Sequence, residues 1–156
     1  MKIQPEMYPT DLESPAANGF LLPHGLIGFA RHTQAALHYQ PDHLPFLWLK
    51  LHGAEPPVHF VVIEPGGIIP GYEPELFADD AFALDLANPA DAMVLNIVTL
   101  RHQNPLEATV NLIGPIIVNR RLRVGRQIVI SNYSRYSAHH ALVESPLAPV
   151  ARAYSA

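Results

Sequence analysis

The chain of 156 residues contains no cysteine, which excludes disulfide frameworks, thiolate zinc sites and cysteine nucleophiles. It is also poor in charge. Asp, Glu, Lys and Arg make up 15% of it, against about 25% in ordinary folded domains. With 49% hydrophobic residues, such a chain has enough apolar surface to bury a core, which argues against global disorder. No apolar run approaches the roughly 18 residues that a membrane-spanning helix needs. Met1-Lys2-Ile3-Gln4-Pro5-Glu6 lacks the apolar stretch of a signal peptide. The expectation is a cytoplasmic protein with no membrane contact, and Asn132-Tyr133-Ser134 is a chance match to a glycosylation acceptor.

Proline, by contrast, is abundant, with 16 in the chain. Proline lacks the backbone donor and fixes φ, so it interrupts helix interiors and central strands alike. Short strands joined by rigid turns tolerate it, and a helical bundle does not. The length suits one core, and the expectation is a single domain over residues 1–145 with a flexible tail at 146–156. Apolar runs bounded by Pro, Gly and Asn predict strands at 2–4, 37–40, 45–51, 58–63, 92–100, 108–113, 116–119 and 127–131. Between Pro23 and Phe29 two glycines bracket Leu26 and Ile27, which predicts a tight loop pinned to the core by Leu26, Ile27 and Phe29. One convincing helix is expected over residues 79–86, capped by Asp79 or Asp80, burying Phe82 and Leu86 together and ended by Asn88-Pro89. The fold class that follows is mainly β: a small antiparallel β-barrel-like domain with one or two short helices.

Nine histidines, His24, His32, His38, His43, His52, His59, His102, His139 and His140, make a metal centre the first enzyme hypothesis. A zinc or iron site needs several ligands converging on one ion at about 2.0–2.2 Å. HExxH, a tight His-x-His and the cupin pattern of His-x-His with a following Glu are all missing. Most of these histidines neighbour proline or fall in expected loops, which reads as scattered surface imidazoles. The nucleophile elbow, the Walker loop and GxGxxG are missing as well. Gly66-Gly67 runs into Ile68-Ile69-Pro70, where a phosphate cradle would need a donor. Catalysis and a cofactor are therefore not expected, and a cupin-type metal enzyme remains the alternative from that class.

The net charge of −4 is unevenly spread. Glu73, Glu75, Asp79, Asp80, Asp85 and Asp91 follow one another with no intervening base, whereas residues 108–143 hold Arg120, Arg121, Arg123, Arg126 and Arg135 and no acid. Either the two segments face and screen each other in the fold, or they create a dipolar surface that steers a charged partner. An RNA-binding barrel presenting Arg120, Arg121, Arg123 and Arg126 is the nucleic-acid alternative. The negative net charge and the lack of a stacking aromatic before Tyr133 and Tyr136 argue against direct nucleic-acid binding.

Taken in order, the motifs resemble one family. Leu22-Pro23-His24-Gly25-Leu26-Ile27-Gly28-Phe29, Pro45-Phe46-Leu47-Trp48-Leu49, Phe60-Val61-Val62-Ile63-Glu64-Pro65 and Tyr72-Glu73-Pro74-Glu75-Leu76 are each similar to successive elements of the flagellar assembly factor FliW. So are Val94-Leu95-Asn96-Ile97-Val98-Thr99, Ala108-Thr109-Val110-Asn111-Leu112, Pro115-Ile116-Ile117-Val118-Asn119 and Gly125-Arg126-Gln127. The chain departs from the family pattern at His24, at Glu64 and at Lys50-Leu51. The resemblance implies a non-catalytic partner switch that binds newly made flagellin and, alternately, the RNA-binding translational regulator CsrA, whose repression of flagellin synthesis it relieves. On that reading Glu73, Glu75, Asp79 and Asp80, beside Tyr72, form an acidic patch for the regulator. Phe46 and Trp48 are candidates to line an apolar groove for flagellin's amphipathic helices.

Overall fold

The computed structural model describes residues 1–5, 18–101 and 107–142; the expected tail at 146–156 and His102 lie outside them. Nine strands are described: β1 Gly19–Leu21, β2 Gln34–His38, β3 Leu47–His52, β4 Val58–Ile63, β5 Ala92–Arg101, β6 Glu107–Val110, β7 Ile116–Asn119, β8 Val124–Gln127 and β9 His140–Ala141. An α-helix, α1, spans Ala78–Ala83. The strand order β4-β3-β2-β1-β8-β7-β5 returns to β4 through a β4–β5 pairing, which closes a seven-stranded barrel. Every pairing is antiparallel except β1–β8, where Leu21 meets Val124 in parallel. Closure leaves these strands no edge to template aggregation.

β5 organises the sheet because it is long enough to serve three neighbours. Residues 92–95 pair with β7, 96–98 with β4, and 98–101 with β6. Asn96 sits where β5 passes from β7 to β6, a gap in the ladder that its side-chain amide fills by donating to the Asn111 carbonyl at 3.0 Å. β9 extends β6 outward through Thr109↔Ala141 and Val110↔His140.

Strand alternation sorts the apolar residues into two cores. Phe20, Leu37, Leu49, Leu51, Val62, Leu95, Ile116 and Val118 point into the lumen. Their chain neighbours Val61, Ile63, Val94 and Ile117 point out of it, yet are buried too. An outer layer covers them: the β4–β5 connection supplies Ile69, Tyr72, Leu76, Ala81, Leu84 and Leu86, the amino terminus supplies Ile3, and residues after β8 supply Ile128 and Ile130. Three strands apolar on both faces are thus explained by a second core outside the barrel.

Several expectations change. β2 begins at Gln34 instead of residue 37 and ends before Pro41, which opens a 3-10 turn. β8 is Val124–Gln127, upstream of the expected 127–131. Ile128 and Ile130 instead donate to the Pro115 and Ile113 carbonyls and seal the outer core. The loop over residues 23–29 is tight, but Ile27 is 73% exposed, and only Leu26 is fully buried. Gly25 has φ +61°, and a Cβ there would collide with the Phe29 carbonyl oxygen, so the turn requires glycine. Phe77, not Asp79 or Asp80, is the α1 N-cap and offers no side-chain bond. Asp85 at φ 52° ends the helix before Asn88-Pro89. Ala81 and Leu84 form the buried stripe, and Phe82 stands 88% exposed.

Candidate functional site

Residues 72–76 run extended across the outer wall. Tyr72, Pro74 and Leu76 turn inward, so Glu73 and Glu75 share the outward side. The segment is fixed from both edges. Ile3 donates to the Pro74 carbonyl and Leu76 to that of Met1, which places Lys2 opposite Glu75. On the other edge the Glu73 amide donates to the Tyr136 hydroxyl at 3.0 Å, and the Glu75 amide to Asn132 Oδ1 at 2.9 Å. Asn132 returns a bond to the Glu73 carbonyl at 2.9 Å. The two carboxylates are thereby held by a rigid backbone while their side chains stay partly accessible.

α1 follows this segment in the chain, with Asp79 and Asp80 in its first turn, where a carboxylate also favours the helix dipole. The arginine turn between β7 and β8 lies beside it. Arg126 approaches Asp80 at 3.8 Å and Arg121 approaches Asp85 at 3.6 Å, while Arg120 reaches Glu64 at 3.9 Å. The acidic and arginine segments are therefore neighbours that pair at two points, Arg121 with Asp85 and Arg126 with Asp80. At these lengths and exposures the pairs add little stability. No ion pair to Glu73, Glu75 or Asp79 occurs among the described residues.

Asn119 couples the turn to the helix. Its Oδ1 accepts from the amides of Arg121 at 3.0 Å and Leu122 at 3.1 Å, shaping the turn. Its Nδ2 donates to the carbonyls of Leu84 at 2.8 Å and Asp85 at 3.1 Å, satisfying the end of α1. Arg123 curls back to the Gly19 carbonyl at 2.8 Å. The Arg123 guanidinium is thus spent on a backbone carbonyl, while Arg121 and Arg126 stay partly exposed beside their carboxylates.

Two candidates from sequence lie inside. Tyr72 is buried, donates to the Leu112 carbonyl at 2.7 Å, accepts from Asn96 Nδ2 at 3.2 Å and meets Tyr136 edge-on at 4.9 Å. Burial holds its phenol protonated well above the ordinary tyrosine range. Phe46 is equally buried, in the outer core. A partner touches neither directly. Trp48, half-buried on the outer side of β3, does reach the surface, and its indole donates to His43 Nδ1 at 3.3 Å.

Sequence reasoning missed Phe77 and Phe82, 51% and 88% exposed on either side of Asp79 and Asp80. The available signal was the Ala81/Leu84 spacing, which already supplies a buried stripe for so short a helix. An open hollow of about 360 Å³ lies beside Glu73, between Gln4, Pro5, Gly66, Gly67 and Tyr72. It offers one carboxylate and no second group to separate acid from base. Among the described residues no three His, Asp or Glu side chains converge on a point that would hold a metal ion. His38, His52, His59 and His140 lie on strands and His32 is buried, so the expectation of scattered loop histidines is corrected for these five. No helix among the described residues is long and apolar enough to cross a membrane.

A profile of the FliW protein family matches residues 6–142. The chain is 33% identical over 120 residues to the flagellar assembly factor FliW of Moorella thermoacetica, covering 77% of this chain and 75% of that one. It is 36% identical over 143 residues to the flagellar assembly factor FliW of Desulfitobacterium hafniense, covering 91% of each. A crystal structure of the flagellar assembly factor FliW superposes with a TM-score of 0.69 at 28% identity, over 90% of this chain and 96% of that one. The chain belongs to the FliW family.

Proposed function

We propose that this member of the FliW family is a non-catalytic cytoplasmic partner switch, binding flagellin and, in its absence, a CsrA-like translational regulator. Occupation of the regulator would free the flagellin message, and accumulating flagellin would take the switch back. The observation that carries the reading is the face formed by Glu73, Glu75 and Asp79 together with exposed Phe77 and Phe82. RNA-binding regulators present basic surfaces, and an acidic face docked near one lowers the local potential and repels phosphate. Exposed aromatics within such a face supply the desolvated anchors on which protein interfaces depend. For flagellin's amphipathic helices, Trp48 is the accessible member of the aromatic pair, with Phe46 supporting it from within.

Reversing Glu73, Glu75 and Asp79 to lysine tests the reading against a purified CsrA-like regulator. The expected result is regulator binding weakened by about tenfold or more at low salt, the difference shrinking as salt screens it. Flagellin binding is expected to persist. Unchanged regulator affinity and unchanged displacement of RNA would overturn the assignment of this face.

A further inference from the structure

All four backbone polar groups of Glu73 and Glu75 are taken up by one short stretch of chain, residues 131–136. The Glu73 amide donates to the Tyr136 hydroxyl, and the Glu73 carbonyl accepts from Asn132 Nδ2. The Glu75 amide donates to Asn132 Oδ1, and the Glu75 carbonyl accepts from the Ser131 amide at 2.7 Å. Pro74 and Leu76 point their backbone groups to the opposite edge, where Ile3 and Met1 meet them. Residues 72–76 therefore have a partner on each side, as a central strand does.

Asn132 carries two of these four bonds, and neither is local. It stands at the N-cap of the 3-10 turn Tyr133–Arg135, where an asparagine side chain ordinarily accepts from an amide of its own turn. Here it makes no such bond. Its carboxamide reaches instead to groups 57 and 59 residues away in sequence. A planar amide with one donor and one acceptor offers what a neighbouring peptide would, so Asn132 substitutes for a strand partner. Tyr136, beyond the turn, closes the clamp. Its hydroxyl also meets the Gly71 carbonyl at 3.4 Å, and its ring lies edge-on to buried Tyr72.

Extended backbone sets alternate residues about 6–7 Å apart, and burial of Tyr72, Pro74 and Leu76 turns both carboxylates outward. Fixing that spacing before a partner arrives removes an ordering cost from association. We infer that Asn132 is the positioning residue of this face: its carboxamide holds Glu73 and Glu75 at one spacing, and a basic partner is recognised through that preset pair of charges. The inference rests on the proposed binding of a basic regulator by Glu73 and Glu75. Asn132 acts through these two residues and needs no contact with the partner.

A double-mutant cycle against a purified CsrA-like regulator tests it. Removing the charges with Glu73→Gln and Glu75→Gln together is expected to weaken binding about fivefold at low salt. Asn132→Ala alone is expected to weaken binding about fivefold too, and to speed exchange of the Glu75 amide about tenfold. Added to the double glutamine variant, Asn132→Ala should change affinity by less than about twofold, since no charges are left to position. Equal losses in both backgrounds, or no loss in the wild-type one, overturn the inference and leave the regulator face standing. Unchanged affinity after removal of the two carboxylates overturns the regulator reading, and the inference with it. If Asn132→Ala does not fold, Asn132→Asp enters the cycle, because it keeps the bond from the Glu75 amide and loses only that to the Glu73 carbonyl. Its effect should then couple to Glu73→Gln, and an effect independent of Glu73→Gln overturns the inference.

Discussion

Inside the barrel, Leu37, Leu49, Leu95 and Ile116 contact other apolar side chains, whereas the layer on the outer wall is tied down by amides and hydroxyls. Of the three buried polar residues among those described, Asn96 and Asn119 both serve that layer, one through Tyr72 and the other through the end of α1. Lumen packing is non-directional and scales with buried area. The layer has apolar burial as well, but its position depends on a few directional bonds whose loss leaves groups unpaired. The difference teaches that the molecule has a scaffold and a fastened part, and the proposed regulator face is on the fastened part. Functional surfaces are commonly drawn from such regions of lower local stability.

The largest expected effect comes from breaking the scaffold. Leu95 is fully buried in the lumen, on the strand that pairs with β7 there and with β4 further along. Leu95→Ala is expected to lower unfolding stability by about 2–5 kcal/mol, measured by urea denaturation. Barrel and layer should be lost in one transition, since the outer core packs on the same strand. A surviving layer signal after the barrel has melted would refute the hierarchy.

A smaller and more local effect is expected at the fastening. Asn119→Ala removes bonds to two carbonyls at the end of α1 and two amides in the arginine turn. The cost is about 1–3 kcal/mol for groups left unsatisfied. Amide hydrogen exchange should quicken over residues 77–91 and 120–124 while β2, β3 and β4 stay protected. Uniform acceleration across the chain would mean that layer and barrel open together and that the comparison draws a false line.

The scaffold was largely legible in the sequence and the fastenings were not. β4 could be placed because five apolar positions, interrupted by one histidine, stand between Pro57 and Glu64-Pro65. β8 was misplaced because Arg-Val-Gly-Arg reads as a turn, and Ile128 and Ile130, which read as a strand, belong to the outer core. An asparagine within an apolar run, such as Asn96 or Asn119, carries no local signal of the carbonyl it will meet. The acidic and arginine segments were legible from charge alone, and so was their pairing as one of two options. Exposure of Phe82 was not, because the helix length that decides it is set by Asp85 adopting φ 52°, a conformation uncommon outside glycine that no local pattern announces.

Tyr72 offers the finest test, since it joins the acidic segment to the fork in β5 through a single hydroxyl. Tyr72→Phe keeps the ring and its edge-on contact with Tyr136 but leaves the Leu112 carbonyl without its donor, at a cost of about 1 kcal/mol near neutral pH. The same substitution isolates a pH effect. Burial raises the phenol above its unfolded value, so the native state keeps this proton when the unfolded chain, with an ordinary tyrosine at about pH 10, has begun to release it. The stabilisation is complete below about pH 10 and declines above it, by up to about 1.4 kcal/mol per pH unit. Urea midpoints of wild type and Tyr72→Phe should therefore converge, and then cross, as pH is raised from about 9 toward 11. Parallel curves would mean that the hydroxyl is solvated in the native state, and that the layer opens at this seam more freely than its bonds imply.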